Sequence, residues 1–380
     1  MSIIAQSIDF IRDLFKTDGF IPLHEPRFSG NEKKYVLETI DSTFISSVGA
    51  YVNKFEEMIA SISGTKRGVA VVNGTAALQV ALRLAGVRPG DEILTQSLTF
   101  VATANAIAHN HAHPVFLDVD YDTMGLSPKA VKNFLEAHAE IREDGSYNKS
   151  SGRKIAACLP MHTFGFPVHL DELLAICNAW SIPIVEDAAE SIGSMYRDRP
   201  TGSFGKFGVY SFNGNKIVTA GGGGAIVTHD DKLGEKAKHL TTTAKRPHRY
   251  EFYHDEIGYN YRMPNLNAAL ICAQLEQLHH FIERKRVLAT RYAEFFDGQG
   301  IKFRTELPNT KANYWLMTVE LDNRESRNEF LDQTNDAGVM TRPIWTLMHK
   351  LPMFEGCQRD DQLNAEILEQ RIVNIPSSVI

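Results

Sequence analysis

The stretch GVAVVNGTAALQVALRLAG, residues 68–86, joins a short β-branched run to a helical pattern through a tight turn. Helical patterns of the same kind recur at VATANAIAHN (101–110) and DELLAICNAW (171–180). Further strand-like runs are DEILTQ (91–96), HPVFLDVD (113–120), KIAACLPMH (154–162) and IPIVEDA (182–188). Strands that alternate with helices predict βαβ units and a mainly parallel sheet covered on both faces.

The rest of the chain predicts a second, smaller α+β region. Longer helical patterns follow residue 232, including a continuous one over residues 265–296, and strand-like runs lie at 313–321 and 338–345. The polar stretch EIREDGSYNKSSGRK (140–154) predicts an exposed loop. The first 20 residues predict an amphipathic helix.

Length and composition predict a two-domain protein of the α/β class. The 380 residues are enough for a large domain over residues 22–250 and a small C-terminal domain over residues 251–380, with a helix within residues 1–21 alongside. A net charge of −6 argues against nucleic acid or a membrane surface as the main partner. The chain shows no apolar run near the roughly 20 residues of a membrane span and no secretory signal pattern, so we expect a cytoplasmic protein.

Neither the cysteines nor the histidines predict a metal site. The four cysteines are scattered without a CxxC pair, which fits neither a zinc site nor a disulfide framework. His109, His111 and His113 alternate as they would on one face of a strand. That segment joins a helix to a strand and has no evident acidic partners, so we expect no metal.

Polar and aromatic residues follow the predicted strands at the edge where ligands bind in open α/β sheets. They are Asn73, Gly74, Thr75, Thr99, Phe100, His162, Asp187, Glu190, Ser211 and Lys216. Because the carboxyl ends of parallel strands meet at one edge, we expect these residues to converge on one crevice.

Several of these residues have either a structural or a functional explanation. NGTAAL (73–78) is either a capped helix start or a phosphate cradle, because free N–H groups and the helix dipole attract anions. Asp187 closes an apolar strand, so it either caps a helix or pairs with a buried cation such as a protonated pyridine nitrogen. Phe100 is either core or a surface on which a flat ring stacks.

The stretch YSFNGNKIVTAGGGG (210–224) surrounds a single lysine with uncharged residues and four glycines. Lys216 is either a surface lysine or a desolvated amine that attacks carbonyls. We expect the glycines to let the backbone turn sharply and pack close beside the lysine. Phosphate cradle, stacking ring, buried aspartate and lysine together predict a pyridoxal phosphate site.

The motif series resembles that of the DegT/StrS-type nucleotide-sugar aminotransferases, which are fold-type I pyridoxal phosphate enzymes with a mainly parallel seven-stranded sheet. The matching segments are NGTAAL, SLTFVATANAI, PVFLDVD, HTFG, VEDAAESIGS, YSFNGNKIVTAGGGG and GYNYRM, in this order between about residues 20 and 350. The segments FIPLHEPRFSGNEKKYV (20–36), STFISSVG (42–49) and MHTFGFP (161–167) resemble the branch that aminates UDP-linked 4-keto-6-deoxy-N-acetylhexosamines, on the way to legionaminic acid or bacillosamine.

The resemblance implies a role for each matching residue. Lys216 matches the catalytic lysine that bonds to the cofactor, and Asp187 the partner of its pyridine nitrogen. Phe100 matches the stacking aromatic, and Glu190 the position beside the ring's phenolic oxygen. The remaining matches are to phosphate binders, namely Gly74, Thr75, Ser211 and, from the neighbouring subunit of a homodimer, Asn260.

The reaction that the resemblance implies is transfer of an amino group from L-glutamate to C4 of the sugar. A sugar dehydratase is disfavoured because those relatives carry histidine in place of the lysine. A nicotinamide-dependent oxidoreductase is disfavoured because no GxGxxG follows a strand. A GDP-perosamine-synthase-like or dTDP-sugar aminotransferase stays open as an alternative. Candidate cations for the substrate diphosphate are Arg27, Lys33, Lys34 and Arg342.

Overall fold

The structure, a computed structural model, describes residues 2–380. Its α-helices are α1 (Ile3–Phe15), α2 (Glu32–Asp41), α3 (Ala50–Ser63), α4 (Gly74–Ala85), α5 (Val101–His109), α6 (Pro128–His138), α7 (Leu170–Ala179), α8 (Asp231–Thr241), α9 (Asn265–Leu275), α10 (Leu278–Phe296), α11 (Arg324–Asp336) and α12 (Leu363–Arg371). Short 3₁₀ turns lie at Thr163–Gly165 and Met348–Lys350.

The strands of the central region are β1 (Arg67–Val71), β2 (Glu92–Gln96), β3 (His113–Leu117), β4 (Ala139–Arg142), β5 (Gly145–Asn148), β6 (Ile155–Leu159), β7 (Val185–Asp187), β8 (Met195–Tyr196), β9 (Arg199–Pro200), β10 (Phe207–Ser211) and β11 (Gly224–Thr228). Those that follow are β12 (Lys302–Phe303), β13 (Thr310–Lys311), β14 (Met317–Glu320), β15 (Arg342–Pro343) and β16 (Ile372–Ile375).

The central sheet has the strand order β1-β11-β10-β7-β6-β2-β3. Parallel bridges from Cys158 to Ile184 and from Met161 to Asp187 join its two halves between β6 and β7. Strand β11 runs antiparallel to both of its neighbours, and the other pairs are parallel. The mainly parallel, seven-stranded sheet expected from the sequence is therefore confirmed.

Helices cover both faces of this sheet because its strands are apolar on both sides. In β2, Ile93 belongs to the core under α4, α5 and α8, whereas its neighbour Leu94 belongs to the core under α6 and α7. Successive strand residues point to opposite faces, so a strand buried on both faces is a continuous apolar run. The carboxyl edge of the sheet is thus supported by packed helices on each side.

A second sheet, with the antiparallel order β12-β14-β16-β15, is built from the C-terminal part of the chain. The helical pattern over residues 265–296 was expected to be continuous, but it forms two helices, α9 and α10. The break falls at Glu276 and Gln277, whose side chains bond to the N-terminal part of the chain, Glu276 to Lys54 over 2.9 Å and Gln277 to Glu32 over 2.8 Å. These tertiary contacts, which local propensity does not report, accompany the end of α9.

The expectation of a loop over residues 140–154 was wrong in its first half, where β4 and β5 form a hairpin. Its two-residue turn is Glu143 and Asp144, and Gly145, which follows as the first residue of β5, has a φ of 140°. An Asp-Gly pair is a hairpin signal that the polar composition of the segment masked. The Arg142 guanidinium lies 4.2 Å from the centroid of the Tyr147 ring across the hairpin.

The N-terminal amphipathic helix forms as α1, with Ile4, Ile11 and Leu14 on its buried face. Met1, which the prediction included, lies outside the described residues. Arg12 of α1 donates a hydrogen bond to the carbonyl of Ala337, just after α11. None of the helices within residues 2–380 combines the length and the apolar character needed to cross a bilayer.

Candidate active site

A cavity of about 630 Å³ lies at the carboxyl edge of the central sheet. Eight of the ten residues expected to converge on one crevice line it, namely Asn73, Gly74, Thr75, Phe100, Asp187, Glu190, Ser211 and Lys216. The opposite wall comes from the N-terminal segment and the C-terminal region, through Leu23, Trp315, Arg342, Trp345 and Asn374. The predicted crevice therefore exists, and the second sheet closes it.

Two residues expected in the crevice do not line it. His162 is buried beneath it, where its Nε2 lies 3.1 Å from Glu186 Oε2 and its Nδ1 accepts from the N–H of Val168 over 3.3 Å. Thr99 is buried as well, and its hydroxyl is 2.7 Å from that of Thr103. The end of a strand can be located from the sequence, but the direction of the side chain that follows it cannot. Thr99 and His162 follow strands, and their side chains do not line the crevice.

Asn260 also lies outside the cavity of its own chain. It is exposed, and its side-chain oxygen accepts a hydrogen bond from Arg262 Nε over 3.0 Å. Of the candidate cations for a diphosphate, Arg342 lines the cavity. Arg27 instead donates to the carbonyl of Val379, and Lys33 and Lys34 are exposed on α2.

Asp187 is a buried carboxylate at the floor of the cavity. Thr103 Oγ1 donates to its Oδ2 over 2.7 Å, and the N–H of Ala189 donates to its Oδ1 over 3.1 Å. Burial raises the pKa of the Asp187 carboxyl, while these two donors and the charge of Lys216 act in the opposite direction. Within residues 2–380 no cationic side chain forms an ion pair with Asp187, so a cation entering the cavity would find an unpaired partner.

Lys216 and Glu190 form a close pair inside the cavity. Lys216 Nζ lies 3.3 Å from Glu190 Oε1, and the N–H of Phe164 donates to Glu190 Oε2 over 2.9 Å. Both side chains are buried. Burial raises the pKa of Glu190 to about 7, against the lowering effect of Lys216. Glu190 therefore carries a proton in a large part of the population at neutral pH.

The turn before α4 is shaped for an anion. Asn73 caps the helix by accepting from the N–H of Ala76 over 2.8 Å, and the first N–H groups of a helix lack partners within it. A Cβ on Gly74 would lie 3.1 Å from Ser211 Cβ, so the glycine leaves the Ser211 hydroxyl beside the helix start. The positive end of the helix dipole points to the same place.

Gly224, the last of the four glycines, packs against this turn, and no Lys216 atom is among the nearest neighbours of any of the four. The sharp turn expected from the sequence is present, but the expected packing beside the lysine is not. A Cβ on Gly224 would lie 2.4 Å from the carbonyl carbon of Asn73 and 2.8 Å from the backbone nitrogen of Gly74. Gly221 and Gly223 have φ values of 72° and 151°, which L residues rarely adopt. The glycine run therefore lets the start of β11 lie directly against the anion-binding turn.

Aromatic side chains surround the remaining space. Phe100 is 48% exposed at the start of α5 and lies 6.2 Å from Trp345, measured between ring centroids. Sequence reasoning found Phe100 but missed Trp345 and Trp315. Both tryptophans lie in the C-terminal region. Neither follows a strand of the central sheet, so the positions of strand ends in the sequence did not identify them.

The residues present fit pyridoxal phosphate. The cavity offers an amine for a covalent bond, an unpaired buried carboxylate for a protonated ring nitrogen, an anion-binding helix start and a partly exposed phenyl ring for stacking. Each of these groups has a counterpart in the cofactor: an aldehyde, a pyridine nitrogen, a phosphate and a flat ring.

Comparison with known proteins supports this chemistry. The model of the DegT/DnrJ/EryC1/StrS aminotransferase family matches residues 26–379. EpsN of Bacillus subtilis (strain 168), whose name describes a pyridoxal phosphate-dependent aminotransferase, is 39% identical over 336 residues, which are 88% of this chain and 84% of EpsN. GDP-perosamine synthase of Escherichia coli O157:H7 is 34% identical, with 94% of this chain and 93% of that protein covered.

A solved structure extends the likeness to three dimensions. The aminotransferase TlmJ from Streptoalloteichus hindustanus superimposes with a TM-score of 0.85 at 27% identity, over 94% of each chain. The expected fold-type I architecture is therefore confirmed. The comparisons include relatives with different sugar substrates, so the UDP-linked branch expected from the sequence is not established by them.

Proposed function

Because the chain belongs to the DegT/DnrJ/EryC1/StrS aminotransferase family and is a pyridoxal phosphate-dependent sugar aminotransferase, we propose one specific reaction for it. L-glutamate donates its amino group, and C4 of a UDP-linked 4-keto-6-deoxy-N-acetylhexosamine receives it. The product is a UDP-4-amino sugar for a surface glycan such as lipopolysaccharide. The observation that carries the proposal is the meeting of Lys216, Asp187 and Glu190 in one buried cavity.

In this proposal each side chain has a defined task. Bound pyridoxal phosphate supplies the electron sink that makes the α-hydrogen of an amino acid mobile. Asp187 holds positive charge at the ring nitrogen, and Phe100 supports the ring. Lys216 anchors the cofactor and then moves the proton from the donor's α-carbon, and later delivers one to the sugar carbon.

Glu190 and the start of α4 complete the assignment. With a pKa of about 7, Glu190 is able to donate a hydrogen bond to the phenolic oxygen when protonated, which removes the repulsion that a carboxylate would cause. Gly74, Thr75 and Ser211 bind the phosphate.

The sugar assignment is supported by residues 20–30, 42–49 and 161–167, which resemble the branch acting on UDP-linked N-acetylhexosamines. Arg342 at the cavity mouth is the cation that we propose for the substrate diphosphate, because it is exposed and lines the cavity. A site built to hydrogen-bond the N-acetyl group rejects analogues that lack it, since its polar groups would be left unpaired.

A second candidate is a GDP-perosamine-synthase-like reaction. The relative from E. coli O157:H7 carries that name at 34% identity and nearly full coverage. The chemistry at Lys216, Asp187 and Glu190 is the same for both candidates, because both place an amino group on a sugar ketone. They differ only in the nucleotide and in the substituent at C2 of the sugar.

We also propose that the protein acts as a homodimer with shared active sites, in which Asn260 of one subunit reaches the phosphate in the other. Two exposed apolar segments support an interface. The first contains Phe44, Ile45 and Val48, and the second contains Phe252 and Ile257, each more than half exposed. Apolar side chains of this size are seldom left exposed together unless another surface covers them.

The proposal includes the organisation of the chain and its location. Residues 22–250 form the cofactor-binding domain, and residues 251–380 form the smaller domain with the N-terminal helix alongside. The central sheet falls within the first range and the second sheet within the other, which supports the division. The reaction is cytoplasmic, where glutamate and nucleotide sugars are available as substrates, and involves neither nucleic acid nor a membrane.

The test is a substrate panel. The purified protein, loaded with pyridoxal phosphate, is given L-glutamate and a UDP-linked N-acetyl keto sugar or GDP-4-keto-6-deoxymannose, and the amino-sugar product is identified by NMR. We expect kcat/KM to favour the UDP sugar by about tenfold or more, as expected from one well-placed polar contact. A preference of that size for the GDP sugar would assign the second candidate function instead.

A further inference from the structure

A tryptophan to which the proposed reaction gives no task packs directly on the reactive amine. Lys216 Nζ lies 3.6 Å from the centroid of the Trp315 ring, and the same nitrogen lies 3.3 Å from Glu190 Oε1. Trp315 is 4% exposed and Lys216 is 9% exposed, so bulk water is largely excluded. A cation over an indole face is attracted by the ring quadrupole, and the attraction is largest where water is absent.

The indole ring is held in this orientation from two sides. Its Nε1 donates to the carbonyl of Asn215 over 2.7 Å, and Asn215 directly precedes Lys216 in the chain. The backbone N–H of Trp315 donates to Asn313 Oδ1 over 2.8 Å. The loop that carries the lysine therefore also fixes the ring on which its amine rests.

The segment Asn313–Trp315 reaches the other partner of the amine as well. Asn313 Nδ2 donates to the carbonyl of Glu190 over 2.9 Å and to that of Ile192 over 3.0 Å. Between them, Tyr314 has a φ of 51°, a left-handed conformation that is unfavourable for a large side chain. Such backbone strain persists only where surrounding contacts hold the residue in place. On either side of Tyr314, Asn313 and Trp315 contact the loops that carry Glu190 and Lys216.

We propose that Trp315 is a positioning residue whose indole face holds the protonated amine of Lys216 while that amine is not bonded to the cofactor. The proposal rests on the proposed function, because only an aminotransferase cycle releases the lysine and asks it to carry a proton. The indole has no basic atom. It therefore stabilises the ammonium without competing for its proton. The Glu190 carboxylate, in contrast, is a base that competes for that proton.

Other charged groups also act on this amine. Asp187 on β7 and His24 of the N-terminal segment feel its charge, and the buried Lys285 of α10 acts on His24. Loss of Trp315 leaves the carboxyl groups of Glu190 and Asp187 in place. The contribution of the ring is therefore separable from that of the carboxylates.

The experiment measures the reactivity of the Lys216 amine in the cofactor-free protein. Limiting acetic anhydride is added near neutral pH, and acetylation of the peptide containing Lys216 is quantified by mass spectrometry. Only the uncharged amine reacts, so loss of a cation–π contact raises the rate. We expect about a tenfold increase in Trp315→Leu and a smaller increase in Trp315→Phe, whose ring has a weaker quadrupole.

Two controls separate charge from access. Trp345→Leu removes a tryptophan from the same cavity that packs on Phe164, with ring centroids 4.8 Å apart, and it should react like the parent protein. Near pH 11, where lysine amines are largely uncharged, the rates of Trp315→Leu and the parent should converge. A wider opening of the cavity would raise the rate by the same factor at both pH values.

Equal rates near neutral pH in the parent and Trp315→Leu would overturn the proposal, and so would an increase that persists unchanged near pH 11. If Trp315→Leu does not fold, as judged by its urea midpoint, Trp315→Phe and Trp315→Tyr are measured instead. Acetylation of Lys216 at the parent's rate in both variants would also overturn the proposal. No sugar or glutamate is present in this experiment. Its failure and a failure of the proposed sugar specificity are therefore distinguishable.

Discussion

Thr103 of α5 donates a 2.7 Å hydrogen bond to the Asp187 carboxylate at the end of β7, and both side chains are buried. The bond joins a helix to the strand next to the cavity floor, and it favours the charged form of Asp187. A carboxylate that is buried without an ion pair depends on such donors to stay ionised. Thr103 is thus the residue on which the charge at the cavity floor depends most directly.

Replacing Thr103 by valine should therefore weaken cofactor binding. Loss of the hydroxyl raises the pKa of Asp187 further, and a protonated Asp187 is a poor partner for a cationic ring nitrogen. A hydrogen bond to a charged group contributes about 1.5–3 kcal/mol, so the Kd for pyridoxal phosphate should rise by roughly ten- to a hundredfold. Fluorescence titration of the cofactor-free protein measures it. Thr103→Ser keeps the hydroxyl and is the matched control; equal affinity in Thr103→Val and Thr103→Ser would contradict the assignment.

Glu190 should make the stability of the cofactor-free protein depend on pH. Its pKa is raised from 4.5 to about 7 in the folded protein, chiefly by burial. Because its pKa is higher in the folded than in the unfolded protein, the Glu190 carboxyl adds to the free energy of unfolding. This contribution is complete below pH 4.5 and is lost as the pH rises through 7. We expect the free energy of unfolding of the parent, relative to Glu190→Gln, to fall by about 3 kcal/mol over this window.

Urea denaturation of both proteins at several pH values between 4.5 and about 8 checks this expectation. The glutamine variant has the same shape but does not titrate, so all other titrating groups cancel in the difference. Parallel stability curves for the two proteins would show that the Glu190 carboxyl does not titrate in this range.

The glycine run offers a matched pair of substitutions. In Gly224→Ala the new Cβ would lie 2.4–2.8 Å from backbone atoms of Asn73 and Gly74, so the anion-binding turn has to shift. In Gly222→Ala the nearest atom is the Val72 carbonyl oxygen at 3.9 Å. We expect Gly224→Ala to lose at least about tenfold in affinity for pyridoxal phosphate and to unfold at lower temperature, since overpacking costs roughly 1–3 kcal/mol.

Gly222→Ala should retain the affinity and the melting temperature of the parent within experimental error. Calorimetry and cofactor titration report both quantities on the same samples. If the two variants behave alike, the close contact between the start of β11 and the Asn73–Gly74 turn is not what requires a glycine at position 224.

The shared-site proposal predicts complementation between two inactive variants. Lys216→Ala removes the anchoring amine, and Asn260→Ala removes the residue that we propose for the partner's phosphate site. In a mixed dimer both lesions fall in one site and the other site is intact. Mixing should therefore restore up to half of the parent activity per heterodimer, measured as turnover with glutamate and the keto sugar after subunit exchange.

The restored activity is divided by the amount of heterodimer, which native mass spectrometry determines. Activity that does not rise above the sum of the two parents, although heterodimers are present and Asn260→Ala is impaired alone, rules out a site shared through Asn260. Subunits that do not associate at all would remove the homodimer from the proposal.

Local sequence patterns were sufficient for the central sheet and for most of the cavity floor. Parallel strands end at one edge, so the last residue of β7 or β10 is brought near that edge whatever the rest of the chain does. This is why Asp187 and Ser211 were found without a structure, and why Lys216 followed from the glycine-rich segment behind Ser211. The same reasoning failed for His162, because the direction of a side chain after a strand depends on its packing.

Only the tertiary structure decided what surrounds these residues. Trp315 lies 3.6 Å from the Lys216 amine but belongs to a segment leading into the second sheet, and no periodicity links the two. The raised pKa of Glu190 and the dependence of Asp187 on Thr103 arise from burial and from contacts between separate elements. The sequence by itself determined which groups lie at the carboxyl edge of the sheet, because the alternation of strands and helices is a local and repetitive property. Their protonation and orientation were decided by packing, because desolvation and hydrogen bonding depend on neighbours far away in the chain.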